Sequence, residues 1–108
     1  MKELFLRSEF NGDISKWNVI NVINMQGMFM NSLFNGDISE WDVSHVIRMD
    51  FMFYNTGFNN DISNWDVSKV IYMSGMFENT PFNKDISDWK INPDCKIDFI
   101  FADCPIKE

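Results

Sequence analysis

A fixed 24-residue period runs through this chain and constrains its fold more than any other feature. Every copy has two phenylalanines, one tryptophan and one aspartate at constant spacing. The four sets are Phe10, Phe34, Phe58 and Phe82; Asp13, Asp37, Asp61 and Asp85; Trp17, Trp41, Trp65 and Trp89; and Phe29, Phe53, Phe77 and Phe101. A period of this length is typical of an array in which each unit buries its apolar face against its neighbours.

The same period sets the domain organisation. We predict one domain over residues 1–108, a length typical of a single domain. Met1 and Phe5 align with Met25 and Phe29, so the chain starts in the second half of a copy. The predicted units are a partial repeat at 1–9, full repeats at 10–33, 34–57 and 58–81, and a divergent C-terminal capping repeat at 82–108. Terminal units normally diverge because they cover the end of the array.

The first half of each copy has the spacing of a strand. Its apolar residues lie at i, i+3, i+5 and i+8, which is the leucine-rich-repeat pattern with tryptophan and valine in place of leucine. In the second copy these residues are Ile38, Trp41, Val43 and Val46. The alternation from Trp41 to Val43 predicts a short strand with one buried face.

The second half of each copy has the spacing of a helix. Met49, Met52 and Phe53 continue the stripe from Val46 at helical intervals. Ser44 is the expected N-cap, because its hydroxyl can accept an amide at a helix start. The predicted fold class is therefore an α/β repeat. It is a leucine-rich-repeat-like solenoid with one short parallel strand plus a helical or 3-10 segment per 24-residue repeat.

Two turn positions in each copy are expected to have left-handed backbone. One follows Phe-Asn and is occupied by Gly12, Gly36, Asn60 and Lys84. Glycine or asparagine at three of these four places predicts a positive φ there. The other is Asn31, Asn55 and Asn79 at the end of the expected helix.

The repeat consensus resembles a known family. The pattern F-N-x-D-I-S-x-W-D-V-S-x-V-x-x-M-x-x-M-F-x-x, as in Phe34 to Asn55, is similar to the repeat of BspA-type leucine-rich-repeat surface proteins. The same repeat is common, as a domain of unknown function, in mycoplasma lipoproteins. The resemblance covers essentially the whole chain and implies a binding or adhesion role without catalysis.

The resemblance also implies a cellular location for which these residues contain no targeting signal. Family members are typically cell-surface proteins, whereas this sequence shows no signal peptide and no lipidation cysteine near its start. Two interpretations stay open, a fragment of a larger protein or a small intracellular or phage-encoded member. The localisation therefore stays open, since the chain as written is cytoplasmic whereas family members are typically at the cell surface.

The composition bears on partners and chemistry. A net charge of −7 argues against nucleic-acid and anionic-membrane partners and favours a basic protein. There is one histidine, His45, and no glycine-rich phosphate loop, so we predict no enzyme, no cofactor and no metal. Cys95 and Cys104 are expected to be reduced small core residues, with a single bridge as the alternative.

Three ladders of like residues have competing interpretations. The Asp13, Asp37, Asp61 and Asp85 ladder is expected to accept backbone amides in turns, with calcium binding as the alternative. The tryptophan ladder is expected in the core, although exposed indoles would stack on sugars or bases. The methionine stripe is expected to pack in the core rather than bind soft metals. It comprises Met25, Met28, Met49, Met52, Met73 and Met76.

Two variable rows flank the tryptophans and form the predicted partner-binding site. They are Lys16, Glu40, Asn64 and Asp88, and Asn18, Asp42, Asp66 and Lys90. We predict a non-enzymatic protein-binding or adhesion module that presents an acidic strand face to a macromolecular partner. The alternative is a small phage- or virus-encoded acidic inhibitor of a host nucleic-acid enzyme. The open N-terminal edge is a further candidate for self-association.

Overall fold

Each copy in the computed structural model, which describes residues 1–106, is a series of tight turns. In the second copy, the amide of Met52 donates to the Met49 carbonyl at 3.1 Å, and the amide of Tyr54 donates to the Phe51 carbonyl at 3.2 Å. Phe51 and Asn55 have positive φ, 57° and 54°. A positive φ at the third residue of a turn is the geometry of type II turns, and it interrupts any helix.

The backbone amides that the turns leave free bind the next copy. Every second amide of this segment donates to a carbonyl 23 residues further along the chain. Between the second and third copies the four bonds are 2.8–3.0 Å long. The pairs are Met49 with Tyr72, Phe51 with Ser74, Phe53 with Met76, and Asn55 with Glu78. The same pattern joins the first copy to the second and the third to the fourth, so successive copies lie side by side.

The predicted α/β leucine-rich-repeat-like solenoid is wrong. Residues 1–106 contain no α-helix and no 3-10 helix, and the chain forms a compact body with extents of 33 × 31 × 21 Å. The helix fails because the amides of Met49 and Phe51 donate sideways to another copy and not back along their own turn. The stripe of Met49, Met52 and Phe53 is nevertheless fully buried, since tight turns also return side chains to one side every three or four residues.

The predicted strand is wrong as well. Trp41 and Val46 close turns on Ile38 and Val43, at 3.1 and 3.0 Å, so the Trp-Asp-Val segment is not extended into a ladder. Parallel pairing occurs only as isolated single-residue bridges, in positions that follow that segment. The bridges in residues 1–106 are Asn24 with Arg48, Arg48 with Tyr72, and Tyr72 with Lys96.

The left-handed positions are only partly those expected. Asn31, Asn55 and Asn79 do have positive φ, between 54° and 59°. Gly12 and Gly36 do not, which corrects the prediction from the Phe-Asn-Gly sequence. At Gly12 the constraint is space, because a Cβ there would lie 2.7 Å from the Phe10 ring. Ser44 is not an N-cap, since its hydroxyl donates to the Asp42 carboxylate at 2.6 Å.

The core is formed by columns of like side chains that run from copy to copy. Phe5, Phe29, Phe53, Phe77 and Phe101 stack with near-parallel rings at centroid distances of 5.5–5.9 Å. The six methionines of the stripe are all fully buried. No buried side-chain polar atom of residues 1–106 lacks a hydrogen-bond partner. A stable core requires hydrogen-bond partners for all of its buried polar atoms, because an unpaired buried polar group costs about 1–3 kcal/mol of stability.

The two cysteines are free thiols in the last copy. Burial raises the pKa of Cys95. The Cys104 thiol lies 3.2 Å from the Phe82 carbonyl and replaces the serine or threonine hydroxyl of the other copies. Among residues 1–106 there is no helix long and apolar enough to cross a bilayer.

Candidate interaction surface

The four ladder aspartates are exposed and close the same turn in every copy. The Oδ1 atom of each accepts the backbone N–H of the serine two residues later, at 2.9 Å in all four copies. This is an Asx turn, in which a side chain replaces a backbone carbonyl. Each carboxylate is therefore fixed in direction while its other oxygen remains available to solvent.

The two variable rows lie beside that ladder. All eight predicted partner-binding residues are exposed, namely Lys16, Asn18, Glu40, Asp42, Asn64, Asp66, Asp88 and Lys90. Asp42 and Asp66 also close Asx turns, accepting the N–H of Ser44 and Ser68 at 3.0 Å. A shallow groove bordered by Asp61, Asp85 and Asp88 joins the ladder to one of the rows. We call the ladder and the two rows together the acidic surface.

Hydrogen bonding favours the charged form of the six aspartates that close Asx turns. The Ser39 backbone amide is the main cause that lowers the pKa of Asp37, and the corresponding amides act on Asp61 and Asp85. For Asp13, Asp42 and Asp66 the hydroxyl of the neighbouring serine is the larger cause of the lowered pKa. A lowered pKa means that the ionised form is favoured.

The acidic surface holds most of the chain's excess charge. It has eight carboxylates and two lysines and therefore a net charge of −6, compared with a net charge of −7 for the whole chain. Successive aspartates influence one another, since Asp13 and Asp61 both act to raise the pKa of Asp37. Lys84 and Lys69 offset part of this charge beside Asp61 and Asp66. Such a surface attracts cationic groups and repels phosphate.

The tryptophan ladder divides into two environments. Trp41, Trp65 and Trp89 are buried, with 4–9% of their surface exposed, whereas Trp17 in the first copy is 40% exposed. Each buried indole N–H donates to an isoleucine carbonyl of the preceding copy at 3.0–3.1 Å. The predicted core position is thus wrong for Trp17 and right for the other three, and sequence reasoning missed the indole bond. An apolar position filled by tryptophan in every copy was the available signal, because a buried indole N–H needs an acceptor.

Asparagine ladders were also missed. The Oδ1 atom of Asn35 accepts the N–H of Asn59 at 2.9 Å, and the equivalent bonds join the other copies. A second ladder links the side chains of Asn31, Asn55 and Asn79 at 2.7 Å. The strict recurrence of asparagine at these places was the signal. Both ladders hold neighbouring copies together.

The side chains of residues 1–106 that could hold a metal ion lie apart from one another. In residues 1–106 no three His, Cys, Asp or Glu side chains are grouped so that they could hold a metal ion. His45 is exposed, and its Nδ1 lies 3.0 Å from the Ile20 carbonyl of the preceding copy.

Comparison with known proteins bears on the mycoplasma part of the resemblance and not on its leucine-rich-repeat part. Neither the curated proteins nor the solved structures include a significant match to the chain. A family model does match, over residues 1–107. The chain belongs to the family described as Mycoplasma protein of unknown function, DUF285.

Proposed function

We propose that the chain is a non-enzymatic protein-binding or adhesion module that presents its acidic surface to a basic macromolecular partner, most directly a protein. The observation that carries this proposal is the Asx turn that fixes the direction of each ladder aspartate in every copy. A carboxylate already held in place loses little conformational entropy on binding. Complementary charge then speeds encounter and disfavours anionic partners.

The finer kinship with BspA-type surface proteins is proposed on the repeat consensus alone. The residues that support it are the Phe-Asn-x-Asp, Trp-Asp-Val-Ser and Met-Phe elements of each copy. The kinship does not extend to a leucine-rich-repeat fold, because residues 1–106 contain neither the strand nor the helix of that fold. An adhesion role does not depend on those elements, since any fixed surface can present charge.

The chain itself offers a substitution that tests the acidic surface without disturbing its turns. Asn18 occupies the place of Asp42 and Asp66, and its Oδ1 accepts the N–H of Ile20 at 3.1 Å. Asp42→Asn and Asp66→Asn are therefore expected to keep the turn and remove only the charge. Combining them with Glu40→Gln gives a triple variant that loses three negative charges from the middle of the surface.

The probe is a fluorescein-labelled oligoarginine peptide, and its anisotropy is followed over a range of salt concentrations. We expect the triple variant to bind roughly 3-fold or more weakly, since an exposed ion pair contributes about 0.2–1 kcal/mol. Its salt dependence should also be flatter, because fewer charges are neutralised on binding. Far-UV circular dichroism should match the parent.

A matched control loses the same charge elsewhere. Glu3→Gln, Glu9→Gln and Asp98→Asn neutralise exposed carboxylates outside the acidic surface. If binding of the peptide depended on the net charge of the chain alone, the control and the triple variant of the acidic surface would weaken it equally. That result would remove the acidic surface from the account, whereas a smaller loss in the control supports it.

A nucleic-acid mimic is the second candidate. Its specific support is the regular row of ionised carboxylates, one per copy, because regularly spaced negative charge is what a phosphate backbone presents. Such an inhibitor would occupy a nucleic-acid enzyme in competition with its substrate. Recovery of a nucleic-acid enzyme from bacterial cytosol, and its release by added duplex DNA, would favour this function over adhesion.

A further inference from the structure

We propose that Asn11 is a site of spontaneous deamidation, in which its side-chain amide becomes a carboxylate, and that the Asn60 side chain protects Asn35 from the same reaction. Both Asn11 and Asn35 are exposed and are followed by glycine. The same sequence, Phe-Asn-Gly-Asp-Ile-Ser, contains each of them. A difference in their reactivity must therefore come from the fold and not from neighbouring residues in the sequence. The modification does not depend on the proposed binding function.

The reaction exchanges ammonia for water within one dipeptide. The backbone nitrogen of Gly12 attacks Cγ of Asn11, and the new nitrogen–carbon bond closes a five-membered imide ring. The Cγ–Nδ2 bond breaks, and the amide leaves as ammonia with the proton that the glycine nitrogen gives up. Water then opens the ring. Opening at Cγ gives aspartate, whereas opening at the backbone carbonyl gives iso-aspartate, in which the chain continues through the former side chain.

The surroundings of Asn11 favour this attack. The Gly12 amide donates no hydrogen bond within residues 1–106, and glycine has no Cβ to obstruct the approach of its nitrogen. The Asn35 amide donates to Oδ1 of Asn11 at 3.0 Å. Because negative charge develops on Oδ1 during the attack, a donor already in place there lowers the barrier. Asn11 and Gly12 are both exposed, so water can reach the ring.

Asn35 has the equivalent donor, the Asn59 amide at 2.9 Å, but its backbone is also held by the next copy. The Asn60 Nδ2 donates to the backbone carbonyls of Asn35 and Gly36 at 2.8 and 3.0 Å. Closing the ring forces the asparagine backbone out of its commonly allowed conformations, so the peptide group that follows it must turn. Reaction at Asn35 therefore has to break these two bonds. Asn60 also donates to Oδ1 of Asn35 at 3.0 Å, but this contact does not remove the need for that turn.

The clamp is missing at Asn11 because glycine occupies the place of Asn60 in the second copy. This residue is Gly36, and a Cβ there would lie 3.7 Å from the Gly12 carbonyl oxygen. A side chain at that place would thus reach the carbonyls that Asn60 reaches one copy later. Within residues 1–106 the carbonyls of Asn11 and Gly12 accept no hydrogen bond. The peptide group after Asn11 is therefore free to turn.

The products add charge beside the acidic surface. A carboxylate at position 11 lies two residues before Asp13 and adds one negative charge to the chain. In the aspartate product an oxygen still accepts the Asn35 amide, so this bond between copies is kept. The iso-aspartate product carries the same charge but lengthens the backbone by one carbon, which displaces that bond.

Peptide mapping by mass spectrometry measures both sites in one sample of the full chain. Incubation in heavy-oxygen water at mildly alkaline pH labels product formed in the folded chain and distinguishes it from product formed during digestion. We expect Asn11 to react at least about 10-fold faster than Asn35, since the clamp bonds must break at Asn35. In urea the clamp is lost, and the two rates should be equal. Equal rates in the folded chain, or no product at Asn11 while the urea sample reacts, would overturn the proposal.

Removal of the clamp tests its role. Asn60→Ala deletes the donor without creating another asparagine–glycine pair, and should raise the rate at Asn35 to that at Asn11. Lys84→Ala, at the same place one copy later, is the control and should leave Asn35 slow. Far-UV circular dichroism and an unchanged rate at Asn11 establish that both variants are folded. A slow Asn35 in folded Asn60→Ala, or an equal rise in Lys84→Ala, would contradict protection by Asn60.

Discussion

At the scale of single residues, tryptophan and aspartate each have a structural task that recurs in every copy. A buried indole fills the core and also bonds an isoleucine carbonyl of the preceding copy. A ladder aspartate replaces a backbone carbonyl in a turn and keeps a charged oxygen in solvent. The same residue type therefore recurs in every copy for reasons of stability, and the acidic surface follows from it.

The contribution of the indole hydrogen bond to stability can be measured separately from that of the aromatic ring. Trp65→Phe keeps an aromatic ring but removes the indole donor that lies 3.0 Å from the Ile38 carbonyl, which still accepts the Trp41 amide, and we expect a loss of about 0.5–1.5 kcal/mol. Trp65→Ala also removes packing and should cost about 3–5 kcal/mol. Urea unfolding measures both. Trp17→Phe is the control, because Trp17 is 40% exposed, and it should change stability by less than about 0.5 kcal/mol.

A different order of stability losses among these tryptophan variants would contradict the account. If Trp65→Phe and Trp17→Phe were equally mild, the indole bond between copies would contribute nothing measurable. If Trp65→Ala unfolded at the parent's urea concentration, the buried position of Trp65 would be incorrect.

The ladder aspartates predict an acid-dependent stability. Their pKa values in the folded chain lie below the ordinary value of 3.8, so each stabilises the fold above that pH. This contribution is lost as the pH falls through the depressed folded values. Replacing all four by asparagine keeps the acceptor and removes the titration. We expect the variant to lose less stability than the parent between about pH 5 and pH 2.

The control for this pH series neutralises four carboxylates whose side chains accept no hydrogen bond within residues 1–106. They are Glu9→Gln, Glu40→Gln, Asp88→Asn and Asp98→Asn. This variant should keep the parent's acid dependence, measured by thermal unfolding at each pH. A control that flattens the profile as much as the ladder variant would show that net charge, and not the Asx turns, sets the dependence.

At the scale of elements, each copy replaces the expected strand and helix with tight turns. The apolar spacing correctly gave the buried residues, such as Met49, Met52 and Phe53, because periodicity reports which side chains face inward. It could not report the backbone, since turns with positive φ repeat at similar intervals. The informative residues were Asn31, Asn55 and Asn79, and the sequence analysis used them only to end a helix.

The candidate site, like the fold, could be predicted from the sequence only in part. The eight row residues were predicted from their variability between copies, and all are exposed. The anchoring of Asp42 and Asp66 by serine was not predicted, because it depends on a turn where a strand was expected. The alternation of Phe51 with Gly75 was also missed, since it appears only when neighbouring copies are placed side by side.

The glycine alternation gives a prediction at this scale. Gly75→Ala adds a Cβ within 2.4 Å of the Phe51 ring at a φ of +64°, and we expect a loss of about 1–3 kcal/mol. Adding Phe51→Ala should recover the steric part, so the two changes should be non-additive in a double-mutant cycle. Gly57→Ala is the control, because nothing lies within 4 Å of its Cβ and its φ is not positive. Additive losses would contradict the contact.

At the scale of the whole molecule, cohesion comes from one copy bonding the next. The alternate amides, the indoles and the two asparagine ladders all connect residues about one repeat apart. The phenylalanine columns run in the same direction. In such an array each unit is stabilised by its neighbours, so a change in the middle affects both sides. The acidic surface is a product of this arrangement.

The most direct test of this account is the measurement of scalar couplings across backbone hydrogen bonds by NMR in the isotope-labelled chain. The account predicts couplings from the amide nitrogens of Met49, Phe51 and Phe53 to the carbonyl carbons of Tyr72, Ser74 and Met76. Couplings from those amides to carbonyls four residues earlier would indicate a helix and would contradict it.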